Sequence, residues 1–135
     1  MREALGLAKQ TGATLVIAHV LEEAMPFSPD GFVLPRIYEE LAQAVRAQSQ
    51  KKMQTLLAYA RKTGVQARGL LLRGAPHEAI VRAARAHGAK QIVVGTHGRS
   101  GVSRLILGSV AAKVIAAAAC PTLVVPARRK AGGKG

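Results

Sequence analysis

The second half of this sequence lacks acidic residues. Glu78 is the last carboxylate of the 135-residue chain, whereas residues 79–135 carry ten of its 20 Lys and Arg side chains. The formal net charge is +13. A segment that carries only positive charges attracts phosphate groups, whether they belong to a nucleotide, a nucleic acid or a membrane surface. The alternative is a solvated basic face with a disordered tail, and charge alone does not name the ligand.

Other absences narrow the class of protein. There is no Trp, and two Tyr and two Phe are too few for a platform that stacks single-stranded nucleic acid. No apolar run approaches the roughly 18 residues of a membrane span, and the N-terminus has no signal-peptide core. The one cysteine, Cys120, cannot form an internal disulfide. We therefore expect a cytoplasmic protein that does not enter the membrane.

Short aliphatic runs alternate with helical patterns along the chain. The runs are nearly continuous and rich in β-branched residues, which is typical of parallel strands buried on both faces. They are Thr14–Leu21, Ala67–Arg73, Gln91–Gly95 and Thr122–Pro126. Helices are predicted at Arg2–Gln10, Arg36–Thr63, from Pro76 to Gly88, and Ser109–Ala118. The alternation predicts one α/β domain with an open parallel sheet and right-handed crossovers, residues 1–126, followed by a flexible basic tail, residues 127–135.

The helical periodicity also predicts which side chains face the core. Val110, Val114 and Ala118 share one face of the last helix. The apolar face of the long second helix consists of Ile37, Leu41, Val45, Met53, Leu56 and Ala60.

A glycine-rich stretch from Val93 to Val110 follows the third predicted strand. Ligands of open α/β sheets bind beyond the carboxyl ends of the strands, and Gly95 ends such a strand. Glycines there let the backbone approach a ligand closely and adopt positive φ. Gly108 and Ser109 begin the last predicted helix, whose first N–H groups and dipole attract anions. The stretch therefore predicts a phosphate cleft, and the alternative is a plain loop that only starts a helix.

Two common phosphate-binding motifs are absent. A P-loop requires Gly-Lys-Ser/Thr, and a dinucleotide fingerprint requires G-x-G-x-x-G near the first strand; neither occurs here. The spacing of Gly95, Gly98, Gly108 and Ser109 instead resembles the nucleotide-binding motif G-x2-G-x9-G-[ST] of the universal stress protein family. The resemblance covers residues 2–126. The segments that carry it, besides the motif, are "IVVGTHGRSG", "LGSVAAKVI", "CPTLVVP", "TGATLVIAHVL" and "GAPHEAIV".

The resemblance implies a Rossmann-like fold with an ATP site. The implied base and ribose contacts are Val20, Val94 and Gly95. The implied phosphate contacts are Gly98, Gly108, Ser109 and Val110, to which we add Arg99 and Ser100 because they can donate to phosphate from the same loop.

The start of the chain departs from the family pattern. Members of the family open with a strand and a loop whose aspartate contacts the nucleotide, and their sheet has the order 3-2-1-4-5. This sequence starts at the helix that follows that strand, so we expect strand 1 and its aspartate to have no counterpart here.

The predicted function is ATP binding in a stress-response regulator. Efficient ATP hydrolysis requires a carboxylate that holds the metal, and residues 79–135 contain none. Any Mg²⁺ is therefore expected to rest on phosphate oxygens, Ser109 and water, with at most slow hydrolysis. The resemblance implies a homodimer through the strand Thr122–Val125, since an apolar edge strand invites pairing. Two alternatives stay open: a basic protein that binds nucleic acid weakly and without sequence preference, and an interaction module with an empty cleft.

Overall fold

A computed structural model of the chain describes residues 1–21, 31, 34–96 and 107–126. The chain divides into two compact units, Met1–Ala75 and Pro76–Gly135. The predicted alternation of helices and strands is confirmed, with four helices and four strands in the described residues. The predicted tail, residues 127–135, lies outside the described residues.

The first unit consists of two helices and two parallel strands. They are α1 (Arg2–Thr11), β1 (Leu15–Val20), α2 (Pro35–Lys62) and β2 (Ala67–Leu72). In the parallel pair, Leu15 lies opposite Ala67 and Val20 opposite Leu72. Gly12 ends α1 in the left-handed conformation, with φ of 69°, which glycine adopts without strain.

The core of this unit forms where the two helices meet the strands. Leu5 and Ala8 of α1 are buried together with Ala60 and Val65, and Leu15 packs against them. The second half of α2 covers β2 with a buried row consisting of Ser49, Met53, Leu57 and Ala60. These apolar contacts fix the helix on the strand.

The predicted apolar face of α2 is wrong in its first half. Ile37, Leu41 and Val45 are 46%, 45% and 37% exposed, whereas burial begins at Ser49. Length explains the difference, because 28 helical residues extend about 42 Å and the six residues of β2 about 20 Å. Only part of α2 can therefore lie against β2.

The second unit repeats the helix–strand alternation. Its elements are α3 (Pro76–Ala86), β3 (Ile92–Gly95), α4 (Ser109–Ala117) and β4 (Thr122–Val125). The strands β3 and β4 are parallel, with Ile92 opposite Thr122 and Gly95 opposite Val125. The helices α3 and α4 pack against each other. The buried apolar side chains are Ala79, Val81, Ile92, Ala111 and Val114, of which Val114 is fully buried.

The α/β class is confirmed, and the strand pairs are those of the predicted order. The described strands form two two-stranded sheets, β1 with β2 and β3 with β4. These correspond to the pairs 2–3 and 4–5 of the order 3-2-1-4-5. The expected burial of the strands on both faces is wrong, since most of their residues are half-buried and Ala18 and Leu123 are exposed. Such exposure is expected of a sheet in which each strand has one described neighbour. No described helix is both long and apolar enough to cross a membrane.

Candidate functional site

The end of β3 and the start of α4 are joined by a hydrogen bond. The backbone N–H of Gly108 donates to the carbonyl oxygen of Thr96, with an N···O distance of 2.6 Å. Thr96 is in turn anchored to β4, because its own N–H donates to the carbonyl oxygen of Val125 at 2.9 Å. The chain therefore leaves the sheet after Thr96 and returns to the same point at Gly108. Residues 97–106, between them, lie outside the described residues.

The first turn of α4 presents backbone N–H groups at this junction. Gly108 is the N-cap, and its carbonyl oxygen accepts the first helical hydrogen bond from Ala112 at 3.0 Å. The N–H groups of Ser109, Val110 and Ala111 precede that bond, and such groups carry the positive end of the helix dipole. The first turn contains no acidic residue. The junction therefore has the polarity that an anion requires.

The backbone of the described motif glycines differs from expectation. Neither Gly95 nor Gly108 has positive φ, and Gly108 has φ of −60° and ψ of 151°. This is extended backbone that any residue can adopt. The backbone conformation at Gly108 therefore does not exclude a side chain there.

Val110 is exposed, contrary to its predicted place on the core face of α4. Its exposed fraction is 38%, whereas Ala111 and Val114 are buried. Those two residues are three apart and share one face, so the buried face of α4 includes Ala111 in place of Val110. Of the predicted core residues Val114 is confirmed, and Ala118 is half-buried.

The predicted site residues fall into three groups. Five belong to the second unit: Val94 is half-buried in β3, Gly95 is exposed at its end, and Gly108, half-buried, precedes Ser109 and Val110, both exposed in the first turn of α4. Val20 belongs to the first unit, where it is the half-buried last residue of β1. The remaining three, Gly98, Arg99 and Ser100, lie outside the described residues.

Sequence reasoning missed Thr96. Its backbone, through the bonds to Gly108 and Val125, connects β4, β3 and the N-cap of α4. The only signal in the sequence was its place directly after Gly95, since a backbone contact does not depend on residue type. The structure thus brings the two ends of the motif together through Thr96, the residue after its first glycine.

A cavity of about 110 Å³ lies elsewhere in the second unit. Val81, Ile92 and Cys120 line it, and Ile92 is at the opposite end of β3 from Gly95. It is smaller than the roughly 300–1,000 Å³ that is usual for ligand pockets. None of the predicted site residues lines it. Within the described residues there is also no group of three or more His, Cys, Asp or Glu residues that could hold a metal ion.

Comparison with known proteins identifies relatives over nearly the whole chain. The sequence model of the Universal stress protein family matches residues 1–126. A universal stress protein of Thermus aquaticus is 36% identical over 119 residues, which is 87% of this chain and 81% of the relative.

Solved structures of the family have the same fold. A Burkholderia pseudomallei protein of the family has a TM-score of 0.71 at 31% identity, covering 93% of this chain and 83% of that one. An Archaeoglobus fulgidus universal stress protein solved in complex with dAMP has a TM-score of 0.65 at 22% identity, covering 92% and 82%. This chain belongs to the universal stress protein family.

Proposed function

We propose that this chain binds an adenine nucleotide, ATP, at the junction of β3 and α4, and acts as a regulatory protein of the stress response. The observation that carries the proposal is the hydrogen bond between Gly108 and Thr96, which places a helix N-terminus at the carboxyl end of a parallel strand. That location is the usual ligand-binding edge in α/β folds. The dAMP complex of the Archaeoglobus fulgidus relative supports an adenine nucleotide as the ligand.

The residues of the junction suit the triphosphate. The N–H groups at the start of α4 and the hydroxyl of Ser109 can donate to phosphate oxygens. The proposed loop contacts are Gly98, Arg99 and Ser100, and the proposed contacts with the base and ribose are Val20, Val94 and Gly95. Mg²⁺, where it accompanies ATP, would be held through phosphate oxygens, Ser109 and water.

A regulatory role is favoured over catalysis by the charge of the sequence. Residues 79–135 contain no Asp or Glu, so this segment offers no carboxylate to hold a metal or to position water. We therefore propose that bound ATP is hydrolysed slowly, if at all, and that occupancy of the site is the signal. A cytoplasmic location stays a prediction from the sequence.

Identification of a co-purified ligand tests the proposal directly. Protein purified without added nucleotide is denatured, and the released small molecules are identified by mass spectrometry. ATP or another adenine nucleotide near one equivalent is the expected result. Protein that contains no nucleotide and gives no heat on titration with ATP would contradict the proposal and favour the interaction module with an empty cleft.

We also propose that the chain forms a homodimer through β4. In the described residues β4 pairs only with β3, and Leu123 is 38% exposed on it. An apolar strand with an unpaired edge can add the same strand of a second copy. Leu123→Lys should therefore shift the mass measured by light scattering towards the monomer. Ile115→Lys, at an exposed position of α4, is the matched control and should leave the mass unchanged.

A further inference from the structure

The first unit contains a basic region, residues 41–75, which is not evident from the net charge of the unit because the acidic residues lie outside it. Counted over residues 1–78, ten Lys and Arg side chains nearly balance seven acidic ones. The acids are unevenly placed, however, because six of them precede residue 41 and the seventh is Glu78. Residues 41–75 therefore contain no acid. Their seven cations, all exposed, are Arg46, Lys51, Lys52, Arg61, Lys62, Arg68 and Arg73.

Two of these cations line an open groove of about 620 Å³, which we call the basic groove. Arg61, in the last turn of α2, and Arg68, the second residue of β2, line it together with Thr14, Gly64 and Gln66. The backbone between the two arginines is fixed by hydrogen bonds from the N–H of Gly64 to the carbonyl oxygen of Arg61 and from that of Val65 to Ala60. The connection between the two elements that carry the arginines is therefore ordered.

The basic groove is separate from the proposed nucleotide contact on the same sheet. Thr14 and Gln66 precede the first residues of β1 and β2, whereas Val20 is the last residue of β1. Thr14 and Val20 are six positions apart in extended chain, which corresponds to about 20 Å. A ligand in the basic groove would therefore leave the Val20 end of the sheet accessible.

We infer that the basic groove binds the phosphodiester backbone of double-stranded nucleic acid. Arg61 and Arg68 lie on different elements, α2 and β2, and together bring two guanidinium groups to the groove. A duplex offers closely spaced phosphates along its backbone, and arginine binds phosphate through two parallel hydrogen bonds. Contacts with the backbone carry no sequence information, so binding is blind to sequence.

The exposed residues of the basic groove favour nucleic acid over a membrane surface. Proteins that adsorb to membranes combine cations with apolar side chains that enter the lipid. Around Arg61 and Arg68 the exposed groove residues are Thr14, Gly64 and Gln66, which are polar or lack a side chain. The apolar groove residues, Val65 and Ala67, are buried and half-buried, so the groove has no exposed apolar side chain that could enter lipid. Its exposed cations therefore suit a phosphate backbone better than a bilayer.

The test uses the full chain and a fluorescent DNA duplex of about 20 base pairs with mixed sequence. Anisotropy titrations at several KCl concentrations give the slope of log affinity against log salt, which falls by about one for each phosphate contact removed. Arg61→Gln with Arg68→Gln should weaken binding and reduce the slope by about two. Arg61→Lys with Arg68→Lys keeps the charge and should retain most of the slope.

A matched control removes two cations from the same unit at other positions. Lys9→Gln with Arg36→Gln alters an exposed lysine of α1 and an arginine that pairs with Glu40 at 3.3 Å. This variant should keep the slope of the original chain. The ATP affinity of the Arg61→Gln/Arg68→Gln variant should equal that of the original chain. DNA binding and ATP binding then report on different sites, so either proposal can fail without the other.

Three results would overturn the inference. The original chain could fail to bind the duplex even at low salt. The Arg61→Gln/Arg68→Gln variant could bind the duplex with the original affinity and slope. Finally, the arginines could be required for binding to phosphatidylserine vesicles while the duplex is not bound, which would assign the basic groove to a membrane surface.

Discussion

Met53 of α2 lies directly against the backbone of Gly69 in β2. A Cβ atom built on Gly69 would be 2.7 Å from Cγ and 2.8 Å from Sδ of Met53, and 3.3 Å from Cδ1 of Leu57. Real Cβ contacts are essentially never shorter than 3.0 Å. Met53 and Leu57 are both buried, so neither can swing into solvent without losing its packing. The glycine thus sets the distance between the helix and the strand.

Gly69→Ala should therefore destabilise the protein by about 1–3 kcal/mol, the usual cost of overpacking a core. Unfolding in urea, followed by circular dichroism, measures the change in free energy. Gly6→Ala is the matched control, because no atom lies within 4 Å of a Cβ at that position in α1. It should stabilise the helix by about 0.5–1 kcal/mol. Equal destabilisation by both changes would contradict the role of close packing at Gly69.

The second prediction concerns Val114, the largest side chain that is fully buried within the described residues. Val114→Ala removes two methyl groups and leaves a cavity between α4 and its surroundings, so it should cost about 2 kcal/mol of stability. The neighbouring Ile115→Ala removes more atoms from a side chain that is 45% exposed, and should cost less than about 1 kcal/mol. Denaturant unfolding of both variants provides the comparison. A larger loss from Ile115→Ala would mean that the buried face of α4 has been misassigned.

Local patterns in the sequence predicted the elements well, because helix ends and strands depend on nearby residues. Pro76 begins α3, as predicted, and α1 ends at Thr11, one residue beyond its predicted end at Gln10. The exposure of Ile37 and Leu41 was not predictable, because their periodicity is that of a buried helix face. Whether that face is covered depends on the length of β2, which is shorter than α2.

The candidate site was predictable only in part, because the spacing of its glycines can be seen in the sequence whereas the path of its backbone cannot. The spacing from Gly95 to Gly108 resembles the nucleotide-binding motif of the universal stress protein family, to which the chain belongs, and the site itself stays a prediction. The hydrogen bond between Gly108 and Thr96 depends on the backbone path of the whole segment, which residue types do not reveal. The positive φ that we expected at the described glycines rested on their identity alone, and at Gly108 it is wrong.

The extended backbone of Gly108 leads to the third prediction. Because its φ of −60° suits any residue, Gly108→Ala and Gly108→Val should both fold, with losses of about 1 kcal/mol or less. ATP affinity should fall progressively from alanine to valine, as the larger side chain obstructs the phosphates. Thermal melting and isothermal titration separate the two effects. Full ATP affinity in a folded Gly108→Val variant would place the phosphates elsewhere.

Ser109 provides the most direct test of the phosphate assignment. Its side chain is exposed in the first turn of α4, beside N–H groups that precede the first helical hydrogen bond. A hydroxyl that donates to a charged phosphate contributes about 1.5–3 kcal/mol, so Ser109→Ala should weaken ATP binding by roughly 10- to 100-fold in isothermal titration. Ser109→Thr keeps the hydroxyl and should bind within a few-fold of the original chain.

Two controls separate a phosphate contact from a general disturbance. Adenosine has no phosphate, so its affinity should be the same in Ser109→Ala and the original chain, even though ATP affinity falls. Thr55→Ala removes a hydroxyl that donates to the carbonyl oxygen of Lys51 within α2, and should change neither affinity. If Ser109→Ala weakened adenosine and ATP equally, the serine would act by shaping the site, and the contact with phosphate would have to be assigned to other donors.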